Sequence, residues 1–405
     1  LGEFDQPVFV YEATTRLYSR PFILISIANF FVICNLSSFF LFPLFINEHG
    51  GNKSDIGILM AAMMISSILM RPWISQMVDR FGRKKSYFLG TLIMTIMPVV
   101  YLLFDGPLSN FYTPLLAVRI VHGMGVALSF TSAFTYVADI TPPQRLNEGL
   151  GMFGITALVG MAVGPGISEP IINNLGFGAY FPMISMLGAI SLVLQLFLPE
   201  TYVLQSFQNT QISFFSVLKR RKIFGIALLT MLFGVGLAAQ GGFVSPYVED
   251  LKLSNVSVFF VAYAIAAILT RFFGVRIADR VGEQKILPFA LAINALGYLS
   301  LTVVKNSWLL ISSGIITGGG HGLLFPCLNS MAIRDEPIHI RGKINGVFTG
   351  GMDTGLFLGS ILLGYIGEWF GYRPIFFSTF LMLMTGLGIF FGLLKPNFTA
   401  HDRQS

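Results

Sequence analysis

Long apolar stretches recur along the whole chain, separated by short polar ones. Stretches such as 23–31 and 36–46 lack the every-second-residue polar alternation of a barrel strand, so the pattern predicts helices. A membrane crossing needs about 20 mostly apolar residues, and that ruler divides the sequence with little left over. Twelve spans result: 22–46, 55–78, 86–104, 111–137, 148–172, 179–199, 223–246, 255–278, 286–304, 307–332, 343–366 and 372–394. Most connections are a few residues long. The exception is 200–222, polar and ending in Lys219, Arg220, Arg221 and Lys222, which separates an N-terminal bundle (1–199) from a C-terminal bundle with a short tail (223–405).

The second half repeats the first. Residues 69–85 read LMRPWISQMVDRFGRKK and 269–285 read LTRFFGVRIADRVGEQK, with Leu, Arg, Asp, Arg, Gly and Lys matched at an offset of 200. A second register, at an offset of 195, pairs Gly151, Gly160, Gly164, Gly176 and Phe181 with Gly346, Gly355, Gly359, Gly371 and Phe376. The predicted fold is therefore an all-α membrane protein of twelve transmembrane helices in two pseudo-symmetric six-helix bundles. Two such parallel halves place a polar site near mid-depth between them, which is transporter geometry.

Composition strengthens this reading. Hydrophobic residues make up 54% of the 405 and charged residues 11%, with a mean hydropathy of +0.72. The charged share is less than half that of a soluble domain, and only helices or closed barrels satisfy their backbone inside hydrocarbon. The formal charge of +6 is strung along short loops rather than gathered on one surface, so it points to membrane topology and not to nucleic acid. Placing the N-terminus inside leaves only Lys53, Lys252, Lys305 and Arg373 outside, with Arg71, Arg119 and Arg271 within helices. Both termini are then expected to be cytoplasmic, in a bacterial inner membrane. Cys34 and Cys327 sit within apolar runs and form no disulfide framework or thiolate metal site. No metal-ligand pattern, nucleophile–base pair or phosphate loop argues for an enzyme, and no nucleotide-binding domain argues for an ATP-driven pump.

Three motifs carry a resemblance. The loop Asp79-Arg80-Phe81-Gly82-Arg83-Lys84 resembles the signature loop of the major facilitator superfamily, and Asp279-Arg280-Val281-Gly282 resembles its degenerate second copy; the family's leading Gly is Ser75 here. A carboxylate at an inner helix end can pair with nearby arginines or cap a neighbouring helix, giving a latch that exists only while that face is closed. Asp79, Arg80, Gly82, Arg83, Asp279 and Arg280 are thus gating candidates. Arg119, followed by His122, Gly123 and Gly125, is similar to the helix 4 stretch whose arginine the family associates with proton coupling. The run from Gly160 to Gly164 and Pro165 resembles the helix 5 motif of the antiporter branch, although Ser168 and Glu169 replace its closing Gly-Gly pair. Gly164 and Pro165 make that helix closely packed and bendable. The resemblance, which covers nearly the whole chain after residue 20, implies a drug:proton antiporter, with a proton gradient as its energy source and no cofactor.

Ionisable residues inside the bilayer are functional candidates by default, since a central charge costs about 2.5 kcal/mol or more. Proton-coupling candidates are Asp353, Glu169, Arg119, His122 and His321; substrate-cavity candidates are Asn29, Asn35, Arg71, Gln240, Arg271 and Asn329. Inter-helix hydrogen bonding explains the two helix 1 asparagines equally well. A short loop at 138–147 makes helices 4 and 5 neighbours, and the resemblance implies that helices 2 and 11 face each other; with depth arithmetic at 1.5 Å per residue this predicts two pairings, Glu169 with Arg119, and Asp353 with Arg71 across the seam between the halves. Arg271 then has Leu158 where Arg71 has Asp353, and is the freer cation. The expected function is efflux of amphipathic small molecules by alternating access, by a protein working as a monomer. A permease for an organic anion is the alternative, suggested by Arg71 and Arg271.

Overall fold

The computed structural model describes residues 17–142, 145–201, 214–253, 255–334, 336 and 338–394. Twelve long helices are described: α1 (Arg20–Ser38), α2 (Lys53–Phe81), α3 (Arg83–Val100), α4 (Tyr112–Ile140), α5 (Leu146–Leu175), α6 (Phe177–Leu196), α7 (Arg221–Asp250), α8 (Ser257–Val281), α9 (Glu283–Leu301), α10 (Ser307–Ile333), α11 (Ile338–Phe370) and α12 (Tyr372–Ile389). Eleven are long and apolar enough to cross a membrane, the first counted together with its continuation to Glu48. The remaining one, α9, opens with Glu283, Gln284 and Lys285, which lowers its hydropathy without shortening it.

The helices outrun the apolar spans at several ends because backbone signals, not hydropathy, stop them. Asn52 accepts from the Asp55 amide while Asp55 returns a bond to the Asn52 amide, a capping box that starts α2. Gly82 and Gly282, at φ +96° and +97°, end α2 and α8; Gly176 and Gly371, at φ +71° and +88°, end α5 and α11. Those left-handed values suit glycine, and the four positions obey the two sequence offsets. The first crossing is not continuous. After α1 the chain tightens into a 3₁₀ turn (Phe39–Leu41) and continues as Phe42–Glu48, with Pro43 in its first turn.

Packing follows the repeat. In the first half α1 packs on α5 and α6, α4 on α2 and α3, and α3 on α6; the second half repeats this with α7, α11, α12, α10, α8 and α9. A Cβ at Gly123 would collide with the Met63 carbonyl, and one at Gly318 with the Tyr263 carbonyl, so α4–α2 and α10–α8 meet backbone to backbone at equivalent points. The change of offset falls in the α3–α4 connection, which folds into two 3₁₀ turns where α9–α10 has a short link. The halves meet along two seams, α2 with α11 and α5 with α8. Below, the face carrying the α6–α7 linker is the linker face, and the other is the distal face.

Candidate functional site

Arg71 on α2 forms an ion pair with Asp353 on α11, across the first seam. The site is a small cage. Arg71 also donates to Thr349, one turn along α11, and Ser67 Oγ donates to Asp353 Oδ2 at 2.6 Å. Thr349 can receive that bond because its own hydroxyl proton goes to the Asn345 carbonyl at 2.9 Å. Asp353 keeps 12% of its side chain exposed and Arg71 31%, so the pair is reachable rather than sealed. Depth arithmetic found this contact; Ser67 and Thr349 carry no such signal in sequence, since helical hydroxyls usually bond back to their own turn.

Arg119 and Glu169 are not brought together as expected. Arg119 is fully buried: its Nε donates to the Leu59 carbonyl at 3.0 Å, and its guanidinium lies 4.7 Å from the Phe42 ring centre and 5.6 Å from that of Phe39. It pins α4 to α2 and to the break in the first crossing. Glu169 instead crosses the second seam. Its carboxylate accepts from the backbone amides of Val256 and Ser257, at 2.5 and 2.8 Å, capping the start of α8. Equal height on two helices does not fix the direction each residue faces, and at 100° per residue the direction decided the partner.

The distal face is closed by further contacts between the halves. Glu368 of α11 accepts from the Lys53 amide at 3.0 Å, so each seam has a carboxylate from one half on a helix start in the other. Asn47 donates to Glu249 at 3.0 Å, Ser245 donates to the Phe40 carbonyl at 2.5 Å, and Phe40 stacks on Phe260. A Cβ on Gly57 would lie 3.0 Å from the Gly364 Cα and collide with the Ser360 carbonyl.

Near the linker face the described polar contacts lie within a half. Arg83 Nε donates to Asp139 at 2.9 Å, and the Lys84 and Lys85 amides donate to Glu200, a carboxylate that capping logic would have found and motif reading missed. Arg334 pairs with Glu283. Gly82 lies against Glu200, where a Cβ would approach its carboxylate to 2.6 Å. Arg80 and Arg280 are exposed. The side chains of the gating candidates Asp79 and Asp279 lie outside the described residues.

The remaining candidates divide. Asn35 is fully buried and donates to the carbonyls of Met94 and Ile184, so it joins α1 to α3 and α6 instead of lining a cavity. Asn29 donates to Thr156 Oγ1 at 2.8 Å. Gly164 packs against Ser37 and the Cys34 carbonyl, with Pro165 beside it inside α5. His122 contacts the Tyr101 hydroxyl at 3.3 Å and His321 that of Tyr263. Gln240 is buried with both amide atoms unpartnered among the described residues, as are Asn329 Oδ1 and Arg271 Nε. Among the described residues no group of His, Cys, Asp and Glu could hold a metal ion.

The profile of the Major Facilitator Superfamily matches residues 24–260 and 226–405. Similar proteins include Multidrug resistance protein 2 of Bacillus subtilis, 27% identical over 83% of this chain and 85% of the relative. The multidrug resistance protein MdtG of Proteus mirabilis is 23% identical over 87% of this chain and 89% of its own length. Among solved structures, a variant of the nucleoside transporter NupG superposes at a TM-score of 0.78 with 14% identity, covering 93% of this chain and all of the other. The human organic anion transporter MFSD10 does so at 0.69, also with 14% identity, covering 92% of this chain and all of that one.

Proposed function

We propose that this chain, which belongs to the Major Facilitator Superfamily, is a proton-driven secondary transporter that exports amphipathic small organic molecules by alternating access. The observation that carries the reading is the Arg71–Asp353 pair. It is the one described ion pair between the halves, it lies within membrane-spanning helices, and its acid retains access to solvent. Protonating Asp353 would discharge its half of the pair, weaken a bond across the seam and leave a guanidinium exposed between the bundles. Removing one partner of a fully buried pair costs about 3–5 kcal/mol, and partial exposure brings that cost down to a range a proton can switch.

The relatives named as multidrug resistance proteins support export of more than one kind of small molecule. Basic residues on the linker face, including Arg80, Arg83, Lys84, Lys85, Lys219 and Arg220, support a cytoplasmic linker and cytoplasmic termini. With the distal face sealed, this is then the inward-facing member of the cycle, and the protein functions as a monomer in the cytoplasmic membrane without a cofactor.

The test is reconstitution of the full chain in liposomes with an imposed pH gradient, following a fluorescent lipophilic dye. Gradient-driven flux is expected from the wild type. Asp353→Asn should fold and bind the dye but lose the response to the gradient; undiminished gradient-driven flux in that variant would exclude the mechanism.

A further inference from the structure

The quasi-symmetric mate of Arg71 is Arg271, eight residues before Asp279 on α8 as Arg71 is before Asp79 on α2. The two cages can be compared residue by residue through the repeat offsets. Ser67 corresponds to Ala267, Thr349 to Gly154 and Asp353 to Leu158. Each polar group that holds Arg71 has an apolar or side-chainless counterpart around Arg271. The structure confirms that the counterparts are in place: Gly154 on α5 is beside the guanidinium, where a Cβ would lie 3.0 Å from Nη1, and Leu158 is buried one turn away.

Arg271 has no hydrogen-bond or ion-pair partner among the described residues, and its Nε is buried and unpaired. Its guanidinium lies 5.6 Å from the ring centre of Phe325, which supplies an aromatic face but no counter-charge. The residue as a whole is half-buried, with its charged end the more deeply enclosed part. An arginine within a spanning helix that lacks an acid is costly unless something anionic joins it. Its planar fork fits a carboxylate or phosphate through two parallel bonds, and Gly154, having no side chain, lets the guanidinium pack directly on α5 without supplying a polar partner.

We propose that Arg271 is the anchor for the anionic group of a solute: a carboxylate or phosphate sits against its guanidinium, with an aromatic or apolar body against Phe325. This deepens the transporter reading and rests on it for the statement that the ligand is cargo. The two arginines then have separate tasks, Arg71 engaging the internal acid and Arg271 the external one.

The test uses the full chain in phosphatidylcholine nanodiscs and a matched pair of probes, naphthoate and its uncharged amide, with binding measured by equilibrium dialysis. Loss of a charge-assisted bond is worth about tenfold or more in affinity, so naphthoate is expected to bind at least that much more tightly than the amide. Arg271→Gln should erase the preference by weakening naphthoate binding at least tenfold more than amide binding, with an unchanged melting temperature reporting that the variant is folded. Arg271→Lys should retain part of it. Leu158→Asp, which restores the acid of the mate cage, should also abolish it. Equal binding of both probes by the wild type, or a preference surviving Arg271→Gln, would overturn the proposal. Repeating the wild-type titration with phosphatidylglycerol present separates the two sources of an anion. Loss of the preference there assigns the site to a lipid headgroup and overturns the solute assignment; its persistence supports cargo. Binding needs no gradient, so a failure here is distinguishable from a failure of the proton-driven cycle tested at Asp353.

Discussion

Glu169→Gln should open the distal face. In the closed arrangement the Glu169 carboxylate receives two backbone N–H groups at the start of α8, at 2.5 and 2.8 Å. Each bond to a charged acceptor contributes about 1.5–3 kcal/mol, and an anion at a helix start adds about 0.3–1 kcal/mol. Glutamine keeps one acceptor oxygen and loses the charge, so about half of the total, ~2 kcal/mol, disappears from the closed state alone. At 1.4 kcal/mol per decade the closed-to-open ratio falls roughly thirtyfold, enough to bring an open population of a few per cent to parity with the closed one. The shift can be read by pulsed electron–electron resonance between spin labels at Asp105 and Lys305, exposed residues on distal connections of opposite halves. The buried Cys34 and Cys327 are replaced by alanine beforehand. The expected result is a second, longer distance in Glu169→Gln that is rare in the parent. A distribution superimposable on the parent's would refute the idea that this cap determines closure.

Three further expectations use the same material. Gly57→Val introduces bulk where α2 and α11 touch, next to Ser360 and Gly364; because that contact lies between halves, the spin-label distance should lengthen with little change in melting temperature. Gly318→Val drives a side chain into the Tyr263 carbonyl within one half and should cost about 1–3 kcal/mol by overpacking, seen as a lower melting temperature in detergent, whereas Gly388→Ala, in open space, should leave it unchanged. Arg83→Gln removes a pair with Asp139 that is 13% and 31% exposed on its two sides, together with a contact to the Val78 carbonyl, so the melting temperature in detergent should fall.

The helices and their division into two repeated bundles were legible because lipid imposes a length on each span and the duplicated sequence shows the repeat. The helix ends were not: the apolar spans stopped at 78, 278, 172 and 366, whereas the helices run on to the glycines at 82, 282, 176 and 371. Arg71–Asp353 was legible because helix height, together with the facing of helices 2 and 11 that the resemblance implied, sufficed. Arg119–Glu169 failed for want of that second term: both heights were reasonable, but Glu169 faces the other half and Arg119 its own. The hydroxyls of Ser67 and Thr349 could not be singled out from the other serines and threonines, since their selection depends on rotation about the helix axis. The break at Phe39–Leu41 was hidden too, because apolar residues continue unchanged through it.

The unlike cages around Arg71 and Arg271 bear on why the two bundles share one polypeptide. Each seam borrows from both halves: the Arg71 cage takes Ser67 from the first and Thr349 and Asp353 from the second. Were the same bundles encoded as a homodimer, symmetry would make the seams identical, and an acid placed opposite one arginine would appear opposite the other. Joining the copies in a single gene removes that constraint. The second bundle can then keep Arg271 with no acid opposite it while supplying Asp353 to the cation of the first, so Leu158, where the mate cage has an acid, affects one seam only.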